Sequence, residues 1–277
     1  MIYLLIFAGL LLVGVRFYSV VREGFGLIRE SVYKSGKVNY SAEVTNDVSI
    51  YLLSFSYYQK LSSIRKEEFI RRTLNFLNTK NISGEDDFEP SYEAKVHVAA
   101  AATQLAFGLP DFSFSHFDDV ILYPAIFKIG EHSPLMKGAT SPDGVIRISM
   151  KDFEDGYKNP NDKLNVGLHE LGHALFMEFL KQVSDEKSEE EQPEISVTHV
   201  VYPYFVESDK ILKEGKQHTH FLREYAFANR HEFFAVCMEH FFEAPAEFKE
   251  KLPELFTVLT HLLNQDPGNF AKDYAVN

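Results

Sequence analysis

A single cysteine, Cys237, is all the thiol this chain of 277 residues carries, so no disulfide can form within it and a cysteine-rich metal site is excluded. Any metal would have to be held by His, Asp or Glu. Basic residues are also short, 28 Lys and Arg against 40 Asp and Glu. The resulting net charge of −12 argues against a nucleic-acid binder, which needs a basic surface. No internal repeat is present, and no stretch after residue 46 has the composition of a domain boundary. Apolar residues at 45% and charged residues at 25% are ordinary globular proportions and exclude wholesale disorder.

One long apolar run stands at the start, "MIYLLIFAGLLLVGV", extended by "FYSVV" to Val21 and interrupted by Arg16. A bilayer-spanning helix needs about 20 such residues, and an arginine near one end can reach the headgroups. A secretory signal fits poorly, because no Lys or Arg precedes the run and no small-residue cleavage site follows it. Arg16, Arg22, Arg29, Lys34 and Lys37 all follow the apolar core, which places that side in the cytoplasm. The expectation is a single-pass membrane anchor over 1–21, a juxtamembrane linker over 22–46 and one cytoplasmic domain over 47–277.

Within that domain, helical periodicity begins at Val48, in "IYLLSFSYYQKL" and "SSIRKEEFIRRTLNFLNTK", with Ser63 placed to cap the second segment. "NISGEDDFEP" reads as a loop, and the Ala-rich segment from Ser91 to Gly108 as a buried helix. "DDVILYPAIFKI" and "GVIRISM" are short and β-branched and predict strands, the second a candidate edge strand for an extended peptide. The residues between them read as a loop or irregular hairpin. "KQVSDEKSEEEQPE" reads as a solvated acidic loop, and the C-terminal part as two or three helices punctuated by Pro245 and Pro253. The fold class expected is α+β, mostly helical with a small β-sheet.

The chemistry concentrates in "NVGLHELGHALF". On a helix, His169 and His173 stand four residues apart and project from one face, so both imidazoles can meet one ion. Glu170 lies about 100° further round, unsuited to ligate with them but placed to act as a general base on a metal-activated water. The flanking Val166, Leu168, Leu171, Ala174, Leu175 and Phe176 predict a helix buried on most sides, where an unpartnered His–Glu–His group would be costly. Gly172 in mid-helix suggests a close neighbour.

A catalytic zinc takes three protein ligands. The positions where a metzincin would carry its Gly and third His hold Phe176 and Phe179, which excludes that class. The C-terminal helix offers two candidates, Glu232 and Glu239, seven residues apart on one stripe among phenylalanines. Glu232 has a competing role, a capping box opened by Asn229. Glu243, just before Pro245, reads as a surface residue.

"HELGHAL" followed by "EYAFANRHEFFAVCMEHFFEAP" resembles the Mlc titration factor A family of zinc peptidases and, more distantly, the catalytic domain of anthrax lethal factor. The resemblance implies a zincin-like fold, one zinc ion, and a third ligand at the Glu that opens the E-F-F-A run, Glu232, with Glu239 supporting it. It also implies that Tyr225 stabilises the transition state, aminopeptidase-type cleavage of short peptides, and association with a transcriptional repressor. The resulting expectation is a peptidase with His169, His173 and Glu232 on zinc, Glu170 as base and Tyr225 as oxyanion donor. A membrane-tethered, non-catalytic metal protein is the rival reading. A deformylase is disfavoured because its cysteine ligand precedes the motif, whereas Cys237 follows it. His218 and His220 suit a surface strand or loop better than a metal site.

Overall fold

The computed structural model describes residues 41–85, 87–109, 112–188, 197–215 and 220–270. The expected anchor over 1–21 and most of the linker, residues 22–40, lie outside them. No helix among the described residues is long and apolar enough to cross a membrane.

The first described helix, α1 (Ala42–Leu52), starts ahead of the expected Val48, with the Ser41 hydroxyl accepting from Val44 N as its cap. Helicity breaks after Leu52, where the Ser54 hydroxyl turns back to Tyr51 O and the Gln59 amide to Leu53 O. What had read as one helix is therefore α1 and a single turn, α2 (Ser56–Gln59). Helix α3 (Ser63–Thr79) has Ser62 rather than Ser63 at its N-cap, and no side-chain capping bond. The Ala-rich helix α4 (Tyr92–Ala106) is capped by Ser91 as expected and buries Val96 and the run from Val98 to Ala106.

A four-stranded sheet packs beside these helices. Its strands are β1 (Asn81–Gly84), β2 (Asp119–Tyr123), β3 (Gly138–Ser141) and β4 (Val145–Ser149), in the order β1-β2-β4-β3. Strands β1, β2 and β4 run parallel, with Val120 opposite Ile146, and β3 returns antiparallel to β4, with Thr140 opposite Ile146. Val120, Leu122, Ile146 and Ile148 all point into the core. The expectation that "GVIRISM" forms an edge is corrected here. β4 is paired on both sides, and the edge on its side of the sheet is β3, drawn from residues that read as a connection in the sequence.

Helix α5 (Met150–Lys158) follows β4 directly, its N-terminus capped by the Ser149 hydroxyl. Helix α6 (Val166–Ser188) carries the His–Glu–His motif and runs well into the charge-rich stretch. That stretch is not simply solvated. The Glu186 carboxylate is buried and accepts from Val197 N, Thr198 N and the Thr198 hydroxyl, which caps the start of α7 (Val197–Glu214). The sequence reading had left α7 unassigned.

The chain closes with α8 (Arg230–Glu243), α9 (Pro245–Lys251) and α10 (Pro253–Leu263), each proline at the first turn of its helix, where its missing N–H costs nothing. Helices α6 and α8 lie together at the centre. Leu168, Leu171, Ala174, Leu175 and Phe176 from one, and Phe233 to Phe241 from the other, are almost wholly buried. A Cβ on Gly172 would stand 3.3 Å from Met238 Cγ and 3.4 Å from Ala235 Cα, the close neighbour that a mid-helix glycine suggested.

Candidate metal centre

The packing of α6 on α8 brings together three side chains from opposite ends of the domain. His169 Nε2 and His173 Nε2 are 3.2 Å apart, and Glu232 Oε2 lies 3.2 Å from the first and 3.4 Å from the second. Asn229 is the N-cap of α8, accepting at Oδ1 from His231 N and Glu232 N, which sets the first turn of that helix beside the imidazoles. The Glu232 carboxylate is turned towards them. Glu232 Oε2 and His173 Nδ1 are both buried without a hydrogen-bond partner, a costly condition for polar atoms in a protein interior. A cation relieves it at the carboxylate oxygen. Among the described residues, His169, His173 and Glu232 are the group able to hold a metal ion.

Glu239, the second candidate ligand, is placed differently. Its Oε1 accepts from His169 Nδ1 at 2.7 Å and from Arg223 Nη2. Its Oε2 accepts from Asn165 N at 3.0 Å and from Arg223 Nη1 at 2.9 Å. By accepting from Nδ1–H, Glu239 fixes the ring so that His169 Nε2 faces Glu232, the nitrogen left for a metal. Burial alone would lower the His169 pKa, but the Glu232 and Glu239 carboxylates against its two ring nitrogens win and raise it to about 9 in the metal-free chain. Burial likewise opposes ionisation of Glu239 itself, yet His169 and Arg223 hold its pKa below the usual carboxylate range.

Glu243 corrects the sequence reading. It is buried, with Oε1 accepting from Asn165 Nδ2 and Oε2 from Lys163 N. Burial raises its pKa to about 7 against the pull of Asn165, and the nearby charge of Glu239 adds to the rise. Glu239 and Glu243, one turn apart on α8, thus clamp the segment entering α6. Asn165 caps that helix, its Oδ1 accepting from Leu168 N.

Glu170 faces the sheet edge. The Thr140 hydroxyl on β3 lies 2.9 Å from both the carbonyl and Oε2 of Glu170. A Cβ on Gly138 would fall 2.4 Å from Glu170 Cγ and 2.6 Å from Oε1, so only glycine lets the carboxylate lie against the strand. Burial raises the Glu170 pKa, while His169, His173 and Thr140 pull it down.

Tyr225 sits in a short 3-10 turn (Glu224–Phe227) just ahead of α8, with its ring 6.1 Å from that of His169 and 54% of its surface exposed. Burial of its hydroxyl and the Glu232 carboxylate raise its pKa to about 12, so it is a neutral donor at ordinary pH. His220 is exposed and apart from this group, and His218 lies outside the described residues. Thr140, Gly138, Asn165 and Arg223 were not singled out by sequence reasoning. Only Asn165 carried a local signal, as a cap residue immediately ahead of the motif.

A buried helix presenting two imidazoles and a carboxylate, closed by a carboxylate from a second helix beside a small sheet, defines a metallopeptidase-type protein. The chain belongs to the glucose-regulated metallo-peptidase M90 family, whose model matches residues 33–263. It is similar to Mlc titration factor A of Cronobacter sakazakii, 24% identical over 224 residues that span 75% of this chain and 82% of that protein. It is also similar to the uncharacterized protein slr2042 of Synechocystis sp., 23% identical over 228 residues that span 73% of this chain and 78% of the relative.

Proposed function

We propose that this chain is a zinc-dependent peptidase in which His169, His173 and Glu232 hold one zinc ion, Glu170 is the general base and Tyr225 an oxyanion donor. The observation that carries the reading is the spacing of the three ligand atoms, at 3.2, 3.2 and 3.4 Å. Ligand bonds of about 2.0–2.1 Å in a tetrahedron set ligand atoms about 3.3 Å apart, which is the zinc arrangement. Without a metal, the three can stay this close only by sharing protons between the imidazoles and the Glu232 carboxylate. Bound there, zinc would supply Lewis acidity towards a scissile carbonyl and an attacking water.

The residues of the chain do the rest. Glu170, aimed by Thr140 and Gly138, accepts the proton of the attacking water and hands it to the leaving amine. Its buried position keeps the protonated form within reach, as a proton shuttle requires. Tyr225, its ring beside that of His169, offers a phenolic proton to the oxyanion. Among the described residues β3, Gly138 to Ser141, is paired on one side only, which leaves an edge on which an extended peptide can lie by backbone pairing, a sequence-tolerant mode of binding. Aminopeptidase-type cleavage is the mode the family resemblance favours. The apolar run over 1–21 serves as a membrane anchor that keeps the domain over 47–277 at the cytoplasmic face.

A second reading takes support from the name of the Cronobacter relative, a titration factor for Mlc. On that reading the domain binds a regulatory protein, such as a transcriptional repressor, and uses the metal for structure alone. One experiment separates the two: metal content and cleavage of a mixed peptide pool, for wild type and Glu170→Gln. One metal per chain in both, with cleavage only in wild type, supports the peptidase. Metal in both and cleavage in neither supports the binder. Cleavage that survives in Glu170→Gln refutes the base.

A further inference from the structure

Beside Glu170 and His169 opens a cavity of about 380 Å³, reaching from the entry of β3 across the start of α6 to Arg223. Met136, Leu164 and Val166 give it apolar walls, and two ion pairs stand in it, Lys137 with Asp152 and Arg223 with Glu239. Three carboxylates line it, Asp152, Glu170 and Glu239, and of these Glu170 and Glu239 are engaged with the imidazoles and Arg223, which leaves Asp152 as the one able to meet a cationic guest.

The two ion pairs are not equivalent. Arg223 is committed, holding both oxygens of the buried Glu239 and the backbone carbonyl of Lys163. Lys137 is not. Its Nζ lies 2.9 Å from Asp152 Oδ1, yet its side chain is 69% exposed while that of Asp152 is 13% exposed. Asp152 is held without it. The Ser149 hydroxyl donates to Asp152 Oδ2 at 2.6 Å and accepts from Asp152 N at 3.3 Å, so the carboxylate is fixed by the capping of α5. A carboxylate locked in a cavity wall, paired with an ammonium on a solvated flexible stem, is an exchangeable pair, because exposed ion pairs contribute little.

The place of this cavity along a bound peptide follows from Glu170. The group that hands its proton to the leaving amine lies on the amine side of the scissile bond, and Glu170 stands in the wall of this cavity with Leu164, Asn165 and Val166 at the N-terminal end of α6. We infer that it is the pocket for the residue just after the scissile bond, that Asp152 selects a lysine or arginine side chain there, and that Lys137 is a built-in placeholder which the substrate cation displaces. The inference rests on the peptidase reading for its place on the substrate and on Asp152 for its specificity.

The test uses the full-length, zinc-loaded chain in two arms. Wild type is given a mixed peptide pool and the residues following each cut are read by mass spectrometry. Separately, the dipeptides Lys-Ala, Leu-Ala and Glu-Ala are titrated by calorimetry into the Glu170→Gln protein, alone and combined with Asp152→Asn, Lys137→Ala or Asp155→Asn. Asp155, exposed on the same helix, controls for the change in overall charge. The expected results are cuts ahead of Lys and Arg, and Lys-Ala bound about tenfold more tightly than the other two. That preference shrinks to within about twofold in Asp152→Asn, grows in Lys137→Ala and is kept in Asp155→Asn. Equal binding of the three dipeptides, or a preference that survives in Asp152→Asn, overturns the pocket even if the pool is cut. A pool left whole, with the Asp152-dependent preference intact, instead overturns the peptidase reading and leaves a cation-selective binding site.

Discussion

Exchanging Glu239 and Glu232 for glutamine, one at a time, separates a ligand from the carboxylate that orients one. Glu239 is 1% exposed and takes bonds from His169, Asn165 and both outer nitrogens of Arg223. A glutamine there keeps one acceptor oxygen, turns an NH2 group onto donors and strands a guanidinium. Breaking a buried ion pair from one side costs about 3–5 kcal/mol. The Arg223 side chain is 30% exposed, so water compensates it in part and about 3 kcal/mol is the appropriate figure. For a domain of this size that lowers Tm by roughly 6–12 °C, measured by thermal melting in chelator. Zinc affinity falls by about 10–100-fold, as for other carboxylates behind a ligating histidine, so the site still fills at excess zinc. Glu232→Gln does the reverse and loses stoichiometric metal even at excess zinc, read by elemental analysis after gel filtration. Should Glu239→Gln be the variant that cannot be loaded while Glu232→Gln retains its ion, the ligand assignment is wrong.

Other perturbations probe the remaining parts. Gly138→Ala drives a methyl into Glu170 and should lower kcat by about 100-fold with metal content unchanged, since a displacement of about 1 Å costs that much. Thr140→Val removes a hydrogen bond that favours the Glu170 carboxylate, so the acid limb of the pH–rate profile moves to higher pH; a limb that stays put would detach Glu170 from it. Glu243 has a folded-state pKa of about 7 against 4.5 for a free carboxyl, so its contribution is present below pH 4.5 and lost as pH rises through 7. A rise of that size corresponds to about 3 kcal/mol, and denaturant melts of Glu243→Gln should lack that decline between pH 4.5 and 7.

Local signals carried much of the architecture. Ser91 ahead of an Ala-rich run, Asn229 ahead of "RHEFF", and Pro245 and Pro253 opening their helices each act within a turn of the backbone, where the chemistry of one residue decides. The strands escaped where they are short and polar. β1 and β3, "NISG" and "GATS", have little pattern of their own and owe their form to pairing with β2 and β4. Because β3 was unseen, the edge was placed on β4, one strand too far in.

The sequence alone determined that two imidazoles and a carboxylate share one helix, since a spacing of four residues and the helical repeat are properties of the chain itself. Which distant carboxylate joins them was not in it. Glu232 and Glu239 both lie on α8, and only the packing of α6 on α8 turns the first towards the imidazoles and the second towards Nδ1 and Arg223. Nor could "NPNDKLNV" announce that it is clamped by two glutamates some eighty residues away, or that Glu243 is buried. Side-chain environment is set by whatever other segments arrive, and those contacts span separations across which no local periodicity carries information.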